Sequence, residues 1–243
     1  AWIKLNRPQV LNAMNRQLWL DLQSALADAH EDEAIKVLVI TGEGRAFSTG
    51  ADLKESKTRS IEDYRRYLEA LQEVSREVIR YEKPTIAAIN GYAVGSGYEL
   101  ALACDLRVAA EDAQIGSPEA KVTSSVTGGA FRLLQDLVGP GKARELLYTG
   151  EYIDGREAER IGLVNQAVPA EDLIPAVTEL ATKIAANSAF SLKMIKKGVQ
   201  LAAGEASLEA LMAYEVEACL ACVSTKERKD SLETFAKRKE DKS

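Results

Sequence analysis

The chain has 243 residues, 46% of them hydrophobic and 28% charged, with a formal net charge of −6. That is length and apolar content enough for a sizeable buried core, and the acidic balance offers no global attraction to a phosphate backbone. No apolar run approaches the ~20 residues of a bilayer-crossing helix, so neither a nucleic-acid nor a membrane partner is expected.

Taken in chain order, residues 1–5 (Ala1-Trp2-Ile3-Lys4-Leu5) already read as strand. With no basic leader or signal-type apolar core ahead of it, a cytoplasmic location is expected; a targeting segment preceding Ala1 would change that to the mitochondrial matrix. Residues 16–31 and 61–81 repeat apolar side chains at helical spacing. Residues 37–41, 85–89 and 106–109 are short, nearly continuous apolar runs, the pattern of strands covered on both faces. The alternation defines an α/β class. Beyond Gly139 the strand signal survives only at 163–167, and helical patterns follow at 173–186, 191–203, 208–223 and 226–237, punctuated by Pro140, Gly155, Pro169 and Gly204. The expected layout is an α/β core over 1-185 and a helical C-terminal segment over 186-243.

The cysteines, Cys104, Cys219 and Cys222, are odd in number, which argues against a disulfide framework. Cys219 and Cys222 form a C-x-x-C in a helical stretch without a second cysteine pair or a nearby histidine, so they read as packing residues. The one histidine, His30, lies far along the chain from any glycine-rich loop. A histidine-rich metal centre and a serine–histidine hydrolase are both excluded on that ground, and no metal is expected.

Two glycine-rich turns follow expected strands: Thr41-Gly42-Glu43-Gly44-Arg45-Ala46-Phe47-Ser48-Thr49-Gly50-Ala51-Asp52-Leu53-Lys54 and Asn90-Gly91-Tyr92-Ala93-Val94-Gly95-Ser96-Gly97-Tyr98-Glu99-Leu100. Glycine lets the backbone turn sharply and leaves main-chain N–H groups free for an anion or oxyanion. A dinucleotide fingerprint fails because Phe47 and Leu100 stand where small residues are needed. A P-loop fails because Asp136 and Ala143 flank Gly141-Lys142 where glycine and a hydroxyl are required. Read singly, the loops are compatible with plain tight turns, and Glu99 and Glu119 with acids favoured in a helix's first turn.

Together these segments resemble the crotonase (enoyl-CoA hydratase/isomerase) family. Ala46 through Lys54 resembles its first oxyanion loop, Asn90 through Leu100 its second, and Ala113-Gln114-Ile115-Gly116-Ser117-Pro118-Glu119 the segment carrying its second acid. Similarity extends to Leu5-Asn6-Arg7-Pro8, Asn12-Ala13-Met14-Asn15, residues 155–168 and Phe235-Ala236-Lys237-Arg238-Lys239. The resemblance implies a crotonase-like fold of repeated ββα units and a homotrimer or hexamer held through the helical C-terminal segment.

It further implies that the amides of Ala51 and Ser96 form an oxyanion hole for a thioester carbonyl. Glu99 acts as base toward water and Glu119 delivers a proton to C2. Val10, Ala51, Asp52, Leu53, Lys54 and Ser96 bind the substrate and its coenzyme A moiety, which is part of the substrate; no separate cofactor is implied. Lys57 and the Lys237-Arg238-Lys239 tail could add charge for the phosphates, though each also reads as a solvated basic surface. The leading activity is hydration of a 2-enoyl-CoA to a 3-hydroxyacyl-CoA. An isomerase or decarboxylase, and a noncatalytic acyl-CoA-binding or RNA-binding relative, are the alternatives. Two departures stand out. Ser96 occupies a position that is often glycine, and the hydroxyl-rich Ala120 through Gly129 replaces a more apolar stretch bordering the acyl pocket. Within it, Thr127 stands in the region where dienoyl isomerases and aromatic dehalogenases use an aspartate.

Overall fold

The computed structural model describes residues 1–52, 61–203 and 217. In chain order its main elements are β1 (Trp2–Leu5), α1 (Arg16–Glu31), β2 (Leu38–Gly42), β3 (Ala46–Ser48), α2 (Ile61–Arg80), β4 (Thr85–Ile89), β5 (Tyr92–Val94), α3 (Ser96–Ala103), β6 (Leu106–Ala110), β7 (Ile115–Gly116), α4 (Ala130–Thr149), α5 (Gly155–Arg160), β8 (Gln166–Val168), α6 (Leu173–Ala185) and α7 (Ala189–Ala203).

Every residue of β2 and β4 is buried, because helices cover both faces of the sheet they belong to. That sheet is parallel throughout, in the order β1-β2-β4-β6-β8. The two-residue period of a strand sends Leu38 and Ile40 to one face, where Leu18, Trp19, Leu22 and Leu26 of α1 join them. It sends Val37 and Val39 to the other, against Leu173 and Val177 of α6. Continuous apolar runs are the sequence consequence of this double burial.

A second, smaller parallel sheet, β3-β5-β7, is fed from the first by tight turns after β2, β4 and β6. The turns tolerate no side chain at two positions: a Cβ on Gly42 would lie 1.9 Å from Ala46 O, and one on Gly91 2.2 Å from Arg45 O. Two asparagines hold these turns. Asn90 Nδ2 donates to Gly42 O (3.0 Å) and Gly44 O (2.8 Å). Asn12, fully buried and with φ of 55°, donates to Glu43 O (2.9 Å) and Ala46 O (2.7 Å) and accepts from Arg7 N (2.9 Å).

The helix α7 is anchored at the amino ends of β4 and β6. Buried Lys196 donates to Asp105 Oδ2 (2.7 Å) and Lys83 O (3.0 Å), and the same Asp105 oxygen accepts from Thr85 N (2.7 Å) and Thr85 Oγ1 (2.9 Å). The buried Arg107 guanidinium, meanwhile, donates to the carbonyls of Leu163 (2.8 Å) and Cys104 (2.7 Å), tying the end of α3 to the approach to β8.

The α/β class, α1 and the three central strands stand where the sequence pattern places them. One strand moves. The run expected over 163–167 pairs only as Gln166–Val168, because Leu163 N and Val164 N both bond Ala158 O and close the end of α5 instead. Pro140 stands at a break as expected: Gly139 before it has φ of 76° and ψ of 160°, outside the helical range, so residues 130–149 are two helical stretches meeting at a kink. Among the described residues no helix is long and apolar enough to cross a membrane. The helices expected over 208–223 and 226–237, with Cys219, Cys222, Lys237, Arg238 and Lys239, lie outside the described residues, as do Leu53, Lys54 and Lys57.

Asn12→Ala leaves two carbonyls and one amide without their partner and puts alanine at a left-handed φ that asparagine tolerates better. It is expected to lower the unfolding free energy by about 2–4 kcal/mol, read as a fall in the denaturant midpoint at unchanged m-value.

Candidate active site

The first glycine-rich loop is built from β3 outward. Ser48, buried at the end of that strand, donates through Oγ to Asn12 O (2.8 Å) and accepts from Gly50 N (3.1 Å). Gly50 has φ of 83°. Met14 N donates to Gly50 O (2.7 Å) and Asp52 N to Met14 O (3.1 Å), the ladder of a parallel bridge between Met14 and Ala51. Such a bridge uses the peptide groups on either side of Ala51 and turns the Ala51 N–H to the opposite edge. Arg7 braces the strip from beneath, donating through Nη1 to Ala13 O (2.6 Å) and Asp52 Oδ2 (3.1 Å).

The second loop leaves β5 through Gly95, whose φ of 55° and ψ of −125° belong to glycine. Gly95 offers no side-chain cap to α3, so the N–H of Ser96, the first helical residue, is one of the donors a helix start leaves unused. The two loops meet backbone to backbone. A Cβ on Gly50 would lie 2.7 Å from Val94 O and 2.8 Å from Ser96 N, and one on Gly97 2.3 Å from Ser48 O. Ala51 and Ser96 are therefore neighbours across this contact, both half-buried. Among the described residues neither N–H has an acceptor.

Glu99 sits one turn into α3 with 3% of its surface exposed. Its Oε1 accepts from Thr127 N (2.5 Å) and its Oε2 from Thr127 Oγ1 (2.8 Å). Burial pushes the Glu99 carboxyl above the usual carboxylate range; the two Thr127 donors pull it back, and the charge of Glu119 raises it further. Glu119 opens a 3-10 turn, Glu119–Val122, and is half-buried. Ser117 Oγ donates to Glu119 Oε2, and Oε1 faces Gly95, where an added Cβ would lie 2.9 Å away. Glu119 thus lies against Gly95, and its charge acts on Glu99.

Of the residues singled out in the sequence, Ala51, Ser96, Glu99 and Glu119 converge here. Val10 ends a 3-10 turn, and the next residue, Leu11, accepts the Thr49 N–H through its carbonyl, at the rim of the first loop. The Asp52 carboxylate is engaged by Arg7. His30 lies elsewhere, edge-on to Tyr81 at 5.9 Å between ring centroids. The hydroxyl-rich stretch divides: Thr123, Ser124 and Ser125 are exposed, whereas Thr127 turns inward onto Glu99. That contact and the bracing by Arg7 and Asn12 are not legible in the sequence, since each joins segments whose approach is set by the fold; the Ser117–Glu119 bond is local, two residues apart.

A parallel two-sheet fold whose glycine loops bring two spare amides beside two carboxylates defines a recognisable class. The chain belongs to the enoyl-CoA hydratase/isomerase (crotonase) family, whose model matches residues 1–242. It is 35% identical over 240 residues to the crotonyl-CoA hydratase of Syntrophomonas wolfei, covering 98% of this chain and 92% of that one. To the short-chain-enoyl-CoA hydratase of Clostridium acetobutylicum it is 33% identical with the same coverage. The crystal structure of enoyl-CoA hydratase from Bacillus anthracis superposes with a TM-score of 0.94 at 35% identity, covering 98% of this chain and 92% of that one.

The raised Glu99 carboxyl has a consequence for stability. An acid whose folded pKa exceeds its unfolded value of about 4.3 stabilises the fold only while protonated, and that contribution is lost as pH rises through the folded pKa. Glu99→Gln keeps an acceptor for Thr127 N and a donor for Thr127 Oγ1 without the charge. Its Tm advantage over the wild type is expected to widen as pH rises above the unfolded value of about 4.3 and to level off once Glu99 is ionised in the folded protein; scanning calorimetry as a function of pH checks it.

Proposed function

We propose that the protein adds water to a 2-enoyl-CoA to give a 3-hydroxyacyl-CoA. The observation that carries this reading is a pair of carboxylates beside an unspent amide: Glu119 lies against Gly95, the residue before Ser96, and its charge acts on Glu99 one turn further along the same helix. In the proposed chemistry the Ala51 and Ser96 N–H groups donate to the thioester oxygen and take up the charge that grows on it as the enolate forms. Donors of this kind are each worth about 2.7–4 kcal/mol of barrier. Glu99 accepts a proton from water as the oxygen bonds to C3, and Glu119, through the oxygen aimed at Gly95, gives a proton to C2. Passing a proton from Glu99 to Glu119 then resets the pair.

Coenzyme A enters as part of the substrate, and no further cofactor or metal takes part. By the family resemblance, Val10, Asp52, Leu53 and Lys54 are assigned to its binding. The segment 186-243, following the 1-185 core, serves as the oligomerisation element of a trimer or hexamer. Supporting this on the described part of the segment, Ile195 and Val199 are 63% and 64% exposed one turn apart on α7.

The test is turnover of crotonyl-CoA followed by loss of the conjugated enoyl-thioester absorbance. Wild-type turnover is expected to fall by about 100-fold or more in Glu99→Gln and Glu119→Gln, and by about 100-fold in Gly95→Ala, which pushes Glu119 from its place. A wild type inactive on short, medium and polar 2-enoyl-CoAs that interconverts 3-enoyl and 2-enoyl thioesters makes the protein an isomerase. Binding without turnover of either makes it noncatalytic.

A further inference from the structure

Thr127 takes no part in the proton transfers proposed above, yet it makes two of the shortest contacts in the site. Its carbonyl accepts from Ala130 N (2.9 Å) at the first turn of α4, which fixes its peptide to that helix. Gly128 and Gly129 follow with φ of 59° and 82°, reversing the chain so that the Thr127 N–H and hydroxyl both point at α3. The approach leaves no slack. A Cβ on Gly128 would lie 2.8 Å from Ser75 Oγ of α2 and 3.2 Å from Glu99 Cβ. Thr127 is thereby held against the stem and the head of Glu99 at once, 28 residues along the chain from it.

A glutamate side chain has three rotatable bonds and loses up to about 2 kcal/mol of rotamer freedom when fixed. One donor leaves its carboxylate free to swing about the bond; two donors from a single residue, one on each oxygen, fix the plane. Each oxygen keeps a second lone pair for water or substrate. We propose that Thr127 is a positioning residue for Glu99, its N–H and hydroxyl together setting the plane of the carboxylate so that the unused lone pairs are presented toward Glu119. The amide half of this clamp survives any substitution at 127; the hydroxyl half belongs to the threonine. The groups facing Glu99 from the elements packed on it are Glu119 from its 3-10 turn, Ser75 from α2 and Thr127 itself, and Glu119 is the charged one.

The inference rests on the proposed hydration, so the experiment reads the clamp and the reaction separately. In the full chain, glutamate carboxyl carbons labelled with 13C are titrated by NMR, with the Glu99 signal assigned by its loss in Glu99→Gln. Removing a donor to the ionised form raises the pKa. The Glu99 signal is therefore expected to titrate at higher pH in Thr127→Val than in the wild type, and to return toward the wild-type position in Thr127→Ser. With crotonyl-CoA, Thr127→Val is expected to lose about tenfold in kcat with KM changed by less than about twofold, its acid limb displaced in the same direction. Should Thr127→Val fail to fold, Thr127→Ala gives the same comparison. An unmoved Glu99 titration, whatever the loss of activity, overturns the positioning role and leaves Thr127 a packing residue. A displaced titration in a protein whose wild type turns over no enoyl-CoA upholds the clamp and removes the hydratase reading.

Discussion

The close approach of Gly50 to the Val94-Gly95-Ser96 backbone is the constraint on which the rest of the site depends. Nothing larger than hydrogen fits at Gly50, where a β-carbon would sit within 2.8 Å of two main-chain atoms. The approach is possible because each loop is pinned at its base. Asn12 holds the turn after β2 through two carbonyls, Asn90 holds the same turn from the side of β4, and the small sheet keeps β3 and β5 in register. With those supports in place, the Ala51 and Ser96 amides become neighbours without any side chain reaching for a ligand. The proposed binding element is made of main chain and so is insensitive to side-chain identity; a serine at 96 keeps the amide that a glycine would offer.

Against this rigid frame the acids are set at unequal depth. Glu99 is almost wholly enclosed and carries an electrostatic penalty that two hydrogen bonds offset only in part, whereas Glu119 remains half open and keeps one oxygen toward Gly95. A buried carboxyl with a raised pKa is a strained choice for stability and a suitable one for moving protons near neutral pH. The site thus concentrates its cost in one residue and distributes the support for it over α2, α3 and the turn before α4.

How much of this the sequence discloses depends on whether burial or approach fixes the feature. β2, β4 and β6 are legible because both their faces are covered, and α1 because one of its faces is. The two-residue and three-residue strands of the small sheet are not: Ile115–Gly116 becomes strand only by lying beside β5. Leu163 and Val164 misled in the opposite sense, apolar because they are core residues at a helix end rather than strand residues. The acids and the glycine loops were legible as a set through resemblance, but the amides they serve have no side-chain signature. The partnership of Thr127 with Glu99 depends on two glycines reversing the chain, and no spacing rule encodes it.

The link between Lys196 and Asp105 lies at the amino ends of β4 and β6, while the proposed site lies beyond their carboxyl ends. Five residues of strand, about 16 Å, separate the two. α7 is thus anchored through the stiffest part of the molecule, and its end also reaches the first turn of α4, where Arg132 Nη2 donates to Ala203 O (2.9 Å). A change in α7 therefore has two routes to the surroundings of Glu99, one along the strands from Lys196 and one through the first turn of α4, which follows directly on Thr127.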